Sequence, residues 1–104
     1  MILAKMNETI RDLKGQPIKV DEKELRVKEV LANIIASGFM DMKPLDNVRA
    51  YQLSSRLISS DKENIEVNQE NVELIKKCFE TNRNGYLPIV IGQVLLLSGL
   101  ENSK

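Results

Sequence analysis

The chain has 104 residues, 42% of them hydrophobic and 29% charged, which is the size and make-up of one folded domain (1–104) and excludes a disordered polymer. Fifteen basic and fifteen acidic side chains cancel, so the long-range field that draws a protein to nucleic acid or to an anionic membrane is missing. With no histidine and one cysteine, the chain lacks the commonest general base and metal ligand and cannot close an internal disulfide, which points to a non-enzymatic protein.

The first twenty residues hold short apolar points around a turn signal at Lys14, Gly15, Gln16 and Pro17. Gly15 supplies a positive φ and Pro17 suits a strand start, so 9–13 and 17–20 read as a β-hairpin within 1–20. The acidic "DEKE" follows, then "LRVKEVLANIIASGF", where Val27, Val30, Leu31, Ile34 and Ile35 recur at helical spacing. That stripe predicts a first helix over 22–38, started by a capping box of Asp21 with Glu24 or nearer Arg26, and stopped at Gly38.

Pro44 then precedes a second helix, 46–60, capped by Asp46, with Ala50, Tyr51, Leu53, Leu57 and Ile58 facing inward. Asn68 is a good N-cap for a third helix over 68–82, and Val67 with Val72 has the spacing of a hydrophobic staple. Val72, Leu74, Ile75, Cys78 and Phe79 form its apolar face. Residues 65–67 add a short strand against the N-terminal hairpin. After the turn "NRNGY", Pro88 in a first turn and Gly99 as a stop frame a fourth helix over 88–98, and "ENSK" is a tail.

The stretch "LPIVIGQVLLLSGL" is too short for a membrane span, which needs roughly 20 apolar residues. Its β-branched start leaves strand and helix both open for 87–91. As a helix, it is apolar on every side except a notch at Gly92 and Gln93, and such a helix wants burial all round. It reads as the central core helix, or as one whose free side meets a second copy or another protein. In the second case Tyr86, Ile89, Val90, Leu96 and Leu97 form the protein interface.

Candidate chemistry is thin. Cys78 lies at a core-facing helical position, and the neighbouring Lys76 and Lys77 do not sit over it, so it reads as structural. Ser54, Ser55, Ser59 and Ser60 have no base to take a proton. The mixed clusters Asp21 to Glu24 and Asp61 to Glu63 match neither an EF-hand nor zinc spacing, and the glycines form no phosphate loop, so no metal, cofactor or small-molecule substrate is expected. Lys76, Lys77 and Arg83 at the end of the third helix are the one nucleic-acid candidate, and they support an alternative reading as a small DNA-binding transcriptional regulator.

The order of signals, with "LKGQPIK" at 13–19, "VKEVLANIIAS" at 27–37, "YQLSSRLI" at 51–58, "IEVNQENVELIKK" at 65–77 and "GQVLLLS" at 92–98, resembles a group of small phage and prophage accessory proteins. The resemblance runs along most of the chain. It implies a virus- or prophage-borne protein that works in the bacterial cytoplasm by protein contact, and it carries over no catalytic residue. The acidic "DEKE" and the connection "GFMDMKPLDN" depart from that group's pattern. The absence of an opening signal peptide points to the same compartment. The sequence thus predicts a mainly helical α+β protein, an N-terminal β-hairpin followed by a compact bundle of about four short helices, that acts as a protein–protein interaction module, assisting assembly or inhibiting a host protein, and self-associates into a homo-oligomer.

Overall fold

A computed structural model describes residues 1–102. In chain order it runs β1 (Ile2–Leu3), β2 (Lys19–Val20), β3 (Lys23–Glu24), α1 (Val27–Ser37), α2 (Pro44–Ser59), β4 (Ile65–Glu66), α3 (Gln69–Thr81) and α4 (Pro88–Ser98), closing with a 3-10 turn at Leu100–Asn102. This is the α+β arrangement of four helices with a small N-terminal hairpin. A radius of gyration of 13.0 Å is that of one compact body of this length. Part of the expected tail, residues 103 and 104, lies outside the described residues.

The centre of the fold is α1. Val27, Val30, Leu31, Ile34 and Ile35 are all buried, and the helix packs against α2, α3 and α4. Of the two readings of the fourth helix, the one that makes it the central core helix does not hold, because α4 buries only Val90, Val94 and Ser98. Position decided otherwise, since α1 alone packs against the other three, and it leaves only the strip at Asn33 and Ala36 exposed.

The start of α1 also differs from the expected 22–38. Its N-cap is Arg26, with no side-chain cap. The first two helical N–H groups donate instead to main-chain carbonyls of the N-terminal segment, Val27 to Glu8 at 2.9 Å and Lys28 to Met6 at 3.0 Å. These satisfy donors that would otherwise be orphaned at a helix start. "DEKE" is therefore free to form a tight hairpin, with Asp21 and Glu22 both at positive φ (51° and 68°) between the antiparallel β2 and β3, where Lys19 pairs with Glu24 and Val20 with Lys23. Two positive φ values are what a two-residue hairpin turn of the primed kind demands.

The hairpin expected over 9–13 and 17–20 survives as one bridge, Arg11 with Pro17, around a turn that Asp12 organises. The Asp12 carboxylate accepts from the N–H of Lys14 at 2.9 Å and of Gln16 at 3.0 Å. Beyond it, three apolar residues close a ring of main-chain bonds: Ile10 donates to Leu25 (2.7 Å), Leu25 to Ile18 (2.8 Å) and Ile18 to Ile10 (2.9 Å). The ring satisfies peptide groups in a segment whose Ile10 and Leu25 side chains enter the core.

The opening residues are tied down. β1 pairs antiparallel with β4, Ile2 opposite Glu66 and Leu3 opposite Ile65, so the partner of the strand expected near 65–67 is the chain's first residues and not the hairpin. The N–H of Ala4 donates to Ser98 at the end of α4 at 3.1 Å, and that of Met6 to Glu63 at 2.9 Å. The two ends of the sequence are thereby joined at one end of the bundle.

α2 begins two residues earlier than expected. Pro44 is its first residue, and Asp46 sits in the first turn, where it accepts from the N–H of Lys43 at 3.2 Å. Ala50, Leu53 and Leu57 face the core, whereas Tyr51 and Ile58, expected inside, are 73% and 50% exposed. α3 matches its signals: Asn68 accepts from the N–H of Asn71 at 2.8 Å, Val67 and Val72 are buried, and Asn82 ends the helix in the left-handed conformation. Residues 88–91 are helical, which resolves the strand or helix alternative, and Gly99 stops α4 at φ 85°. No helix among the described residues is long and apolar enough to cross a membrane.

Candidate interaction surface

Local chemistry fixes where α4 sits. Pro88 starts it, and Val90, Val94 and Ser98 recur every four residues on its inner side, all buried. Gln93 holds its middle through a pair of bonds to one residue of the N-terminal segment: the N–H of Arg11 donates to Gln93 Oε1 at 2.9 Å, and Gln93 Nε2 donates to the Arg11 carbonyl at 2.6 Å. The side-chain amide thus acts as a rung of β-ladder carried by a helix. Its polarity, a notch in the apolar run, serves this anchorage.

The opposite side of α4 is uncovered. Leu96 on that side is 62% exposed, and Leu87, the extended residue before the helix, is 66% exposed, while Ile89, Ile91, Leu95 and Leu97 are half-buried against the core. Gly92 has nothing within 4 Å of the place a Cβ would occupy, so the helix backbone itself is open there. From Leu87 to Leu100 no side chain carries a charge.

Of the five interface residues expected from the sequence, Leu96 is fully available, and Tyr86, Ile89 and Leu97 are partly so. Val90 is 5% exposed and belongs to the core, because it lies on the same side as Val94. Tyr86 is held in place: its hydroxyl accepts from Asn33 Nδ2 at 3.1 Å, its N–H donates to Asn82 Oδ1 at 3.3 Å, and its carbonyl accepts from Asn82 Nδ2 at 3.1 Å.

A second apolar surface lies between α1 and α2, where Ala32, Asn33 and Ala36 meet Tyr51, Ser54, Ser55 and Ile58 in an open groove. Asn33 is both a wall of this groove and the partner of Tyr86. The chain's two tyrosines therefore stand at its borders. Sequence reasoning missed this surface because α2 carries apolar residues on two faces. Leu45, Val48, Tyr51 and Ile58, all exposed, form an outer series beside the core series of Ala50, Leu53 and Leu57, and separating the two by angle around the helix was the signal available.

The nucleic-acid candidates have different neighbours. Lys77 lies over the Phe39 ring at 5.5 Å and borders a cavity shared with Asp46, Glu70 and Glu73. Arg83 donates to the Ser37 carbonyl at 3.4 Å and borders a different cavity with Met42 and Tyr51. Lys76 is half-buried. The solvent side of α3 presents Glu70, Glu73 and Glu80 with Lys77, so acidic groups outnumber basic ones there.

Cys78 is fully buried, with its Sγ 4.0 Å from the Ile35 carbonyl. Burial, with a smaller contribution from the Asp46 carboxylate, pushes its thiol up to about 11, the reverse of what a nucleophile needs. Among the described residues no group of three or more His, Cys, Asp or Glu could hold a metal ion. Compared with known proteins, the chain matches no family model, no curated protein and no solved structure.

Proposed function

We propose that the protein is a non-enzymatic interaction module that pairs with a second copy of itself through the outer side of α4. One observation carries this reading: a helix without a single charged residue lies half in solvent, with Leu87 and Leu96 about two-thirds exposed. Exposed leucines are ordinary singly, but a whole uncharged helix side marks a surface meant to be covered.

A second copy is the occupant that the chemistry favours. The surface offers no charge by which a foreign partner would be selected, an isologous contact matches apolar to apolar by symmetry, and a net charge of zero sets up no long-range repulsion between copies. Burying the exposed parts of Leu87 and Leu96 on both copies is worth roughly 4–8 kcal/mol. Association costs about 4–15 kcal/mol, so these leucines alone at best offset it, and a dimer also needs the half-buried Ile89, Ile91, Leu95 and Leu97 and forms only weakly and at high concentration.

The resemblance to small phage and prophage proteins supports placing such a module among accessory proteins of the bacterial cytoplasm, where it acts in assembly or by occupying a host protein. The test is light scattering after size exclusion over a dilution series. The wild type should pass from dimer to monomer on dilution, and Leu96→Glu should be monomeric throughout with unchanged helix content. A wild type that stays monomeric at the highest concentration reached would refute self-association.

A further inference from the structure

On the far side of α2 from the tyrosine-bordered groove, Arg49, Gln52, Leu53 and Arg56 line a cavity of about 210 Å³ together with Asn71 from the first turn of α3. Positions 49, 52, 53 and 56 follow the spacing of one helix side, which brings both guanidinium groups to one wall. Neither arginine is loose. Arg56 Nη2 donates to the Glu66 carbonyl on β4 at 2.7 Å, and Arg49 Nη2 meets Glu70 Oε2 at 3.0 Å. Each guanidinium has five N–H donors, so these contacts orient the forks and leave most of their donors available.

The rest of the wall is polar and unengaged. Among the described residues, the side-chain amides of Gln52 and Asn71 have no hydrogen-bond partner, and no carboxylate lines this cavity. The start of α3, where helix N–H groups and the macrodipole favour negative charge, borders it at Asn71. Two held guanidiniums, two idle amides and an apolar floor at Leu53 form a receptor for an oxyanion.

We propose that this cavity binds a carboxylate carried by the acidic side chain of a partner polypeptide. Two features select a carboxylate over a phosphate. Glu70 at the rim already neutralises one of the two cations, so the local charge balances one negative charge and not two. Leu53 and the volume of the cavity also leave room for a short carbon chain behind the oxygens. The proposal is independent of the α4 surface, and either can fail without the other.

The experiment is an amide-detected NMR titration of the full chain at fixed, low ionic strength, with N-acetylglutamate amide, acetate and inorganic phosphate as separate probes and chloride as the control. The glutamate derivative should saturate with a dissociation constant of about 1 mM, as a few charge-assisted bonds at a partly exposed site allow. The shifts should centre on the Gln52 and Asn71 side-chain amides and be several-fold tighter than those for acetate. Arg56→Gln should weaken binding about tenfold or more. Gln52→Ala, which breaks no contact within the protein, should weaken it severalfold with the melting temperature unchanged. Glu70→Gln should raise affinity and turn preference toward phosphate. Shifts with the glutamate derivative no larger than with chloride, or phosphate binding more tightly than it to the wild type, would overturn the proposal.

Discussion

Among single residues, Cys78 is where burial and charge make the clearest statement. Its thiol is raised from an ordinary 9.0 to about 11 because the thiolate would have to exist in the core next to α1, with the Asp46 charge nearby. In the unfolded chain the same thiol ionises near its ordinary value. Between pH 9 and 11 the unfolded state therefore holds fewer protons than the folded one, and stability falls as pH rises through that window, with the full contribution present below it. The denaturation midpoint of the wild type should drop across this range more steeply than that of Cys78→Ala, the comparison cancelling lysine and tyrosine titration. Parallel curves would show that the thiol reaches water. A thiol reagent at neutral pH should label the wild type only as fast as it unfolds. The structural role of Cys78 was legible from its helical position alone, whereas the role of Gln93 was not, since nothing near Gln93 in sequence hints that its amide would meet a peptide 82 residues away.

For the elements, legibility follows how local the stabilising contacts are. α3 and α4 fall where their signals put them because Asn68, Pro88 and Gly99 act within one turn of themselves. α1 starts later than the acidic run suggested because its cap comes from the carbonyls of Met6 and Glu8, contacts across about twenty residues that no local pattern encodes. The Asp21–Glu22 turn was hidden for a different reason. Primed turns favour Asn-Gly or Asp-Gly, and a glutamate at φ 68° is uncommon enough that composition argues against it. The same contrast makes α4 testable as an element. Gln93→Ala removes both bonds to Arg11 and should destabilise the protein by about 1–2 kcal/mol. Faster hydrogen exchange should appear first in residues 9–26 and at the Arg11 amide, while the α4 amides on the Val90 and Val94 side stay protected. Uniform loss of protection along the chain would mean that the Gln93 rung supports the whole fold and not the N-terminal segment.

At the scale of the molecule, the sequence was right that the run from Leu87 to Leu100 is the protein's most apolar segment, and wrong that it is the best enclosed. A chain of this size has room to surround one helix, and α1 takes that place because α2, α3 and α4 can all reach it. α4 then lies over α1 with its outer side open. Val90 is buried and Leu96 exposed on the same helix, so the two positions separate the core from the proposed interface. Val90→Ala leaves a cavity beside α1 and should lower stability by about 2 kcal/mol while the dimer still forms at high protein concentration. Leu96→Ala removes an exposed side chain, so at high dilution its melting temperature should match that of the wild type. The difference appears on concentrating the samples, because a ligand that binds only the folded state, here a second copy, raises stability by mass action. The melting temperature of the wild type should climb with concentration, that of Val90→Ala should climb in parallel from a lower start, and that of Leu96→Ala should stay nearly flat. Melting curves of all three chains that do not depend on concentration would leave α4 a surface helix with no second copy to cover it.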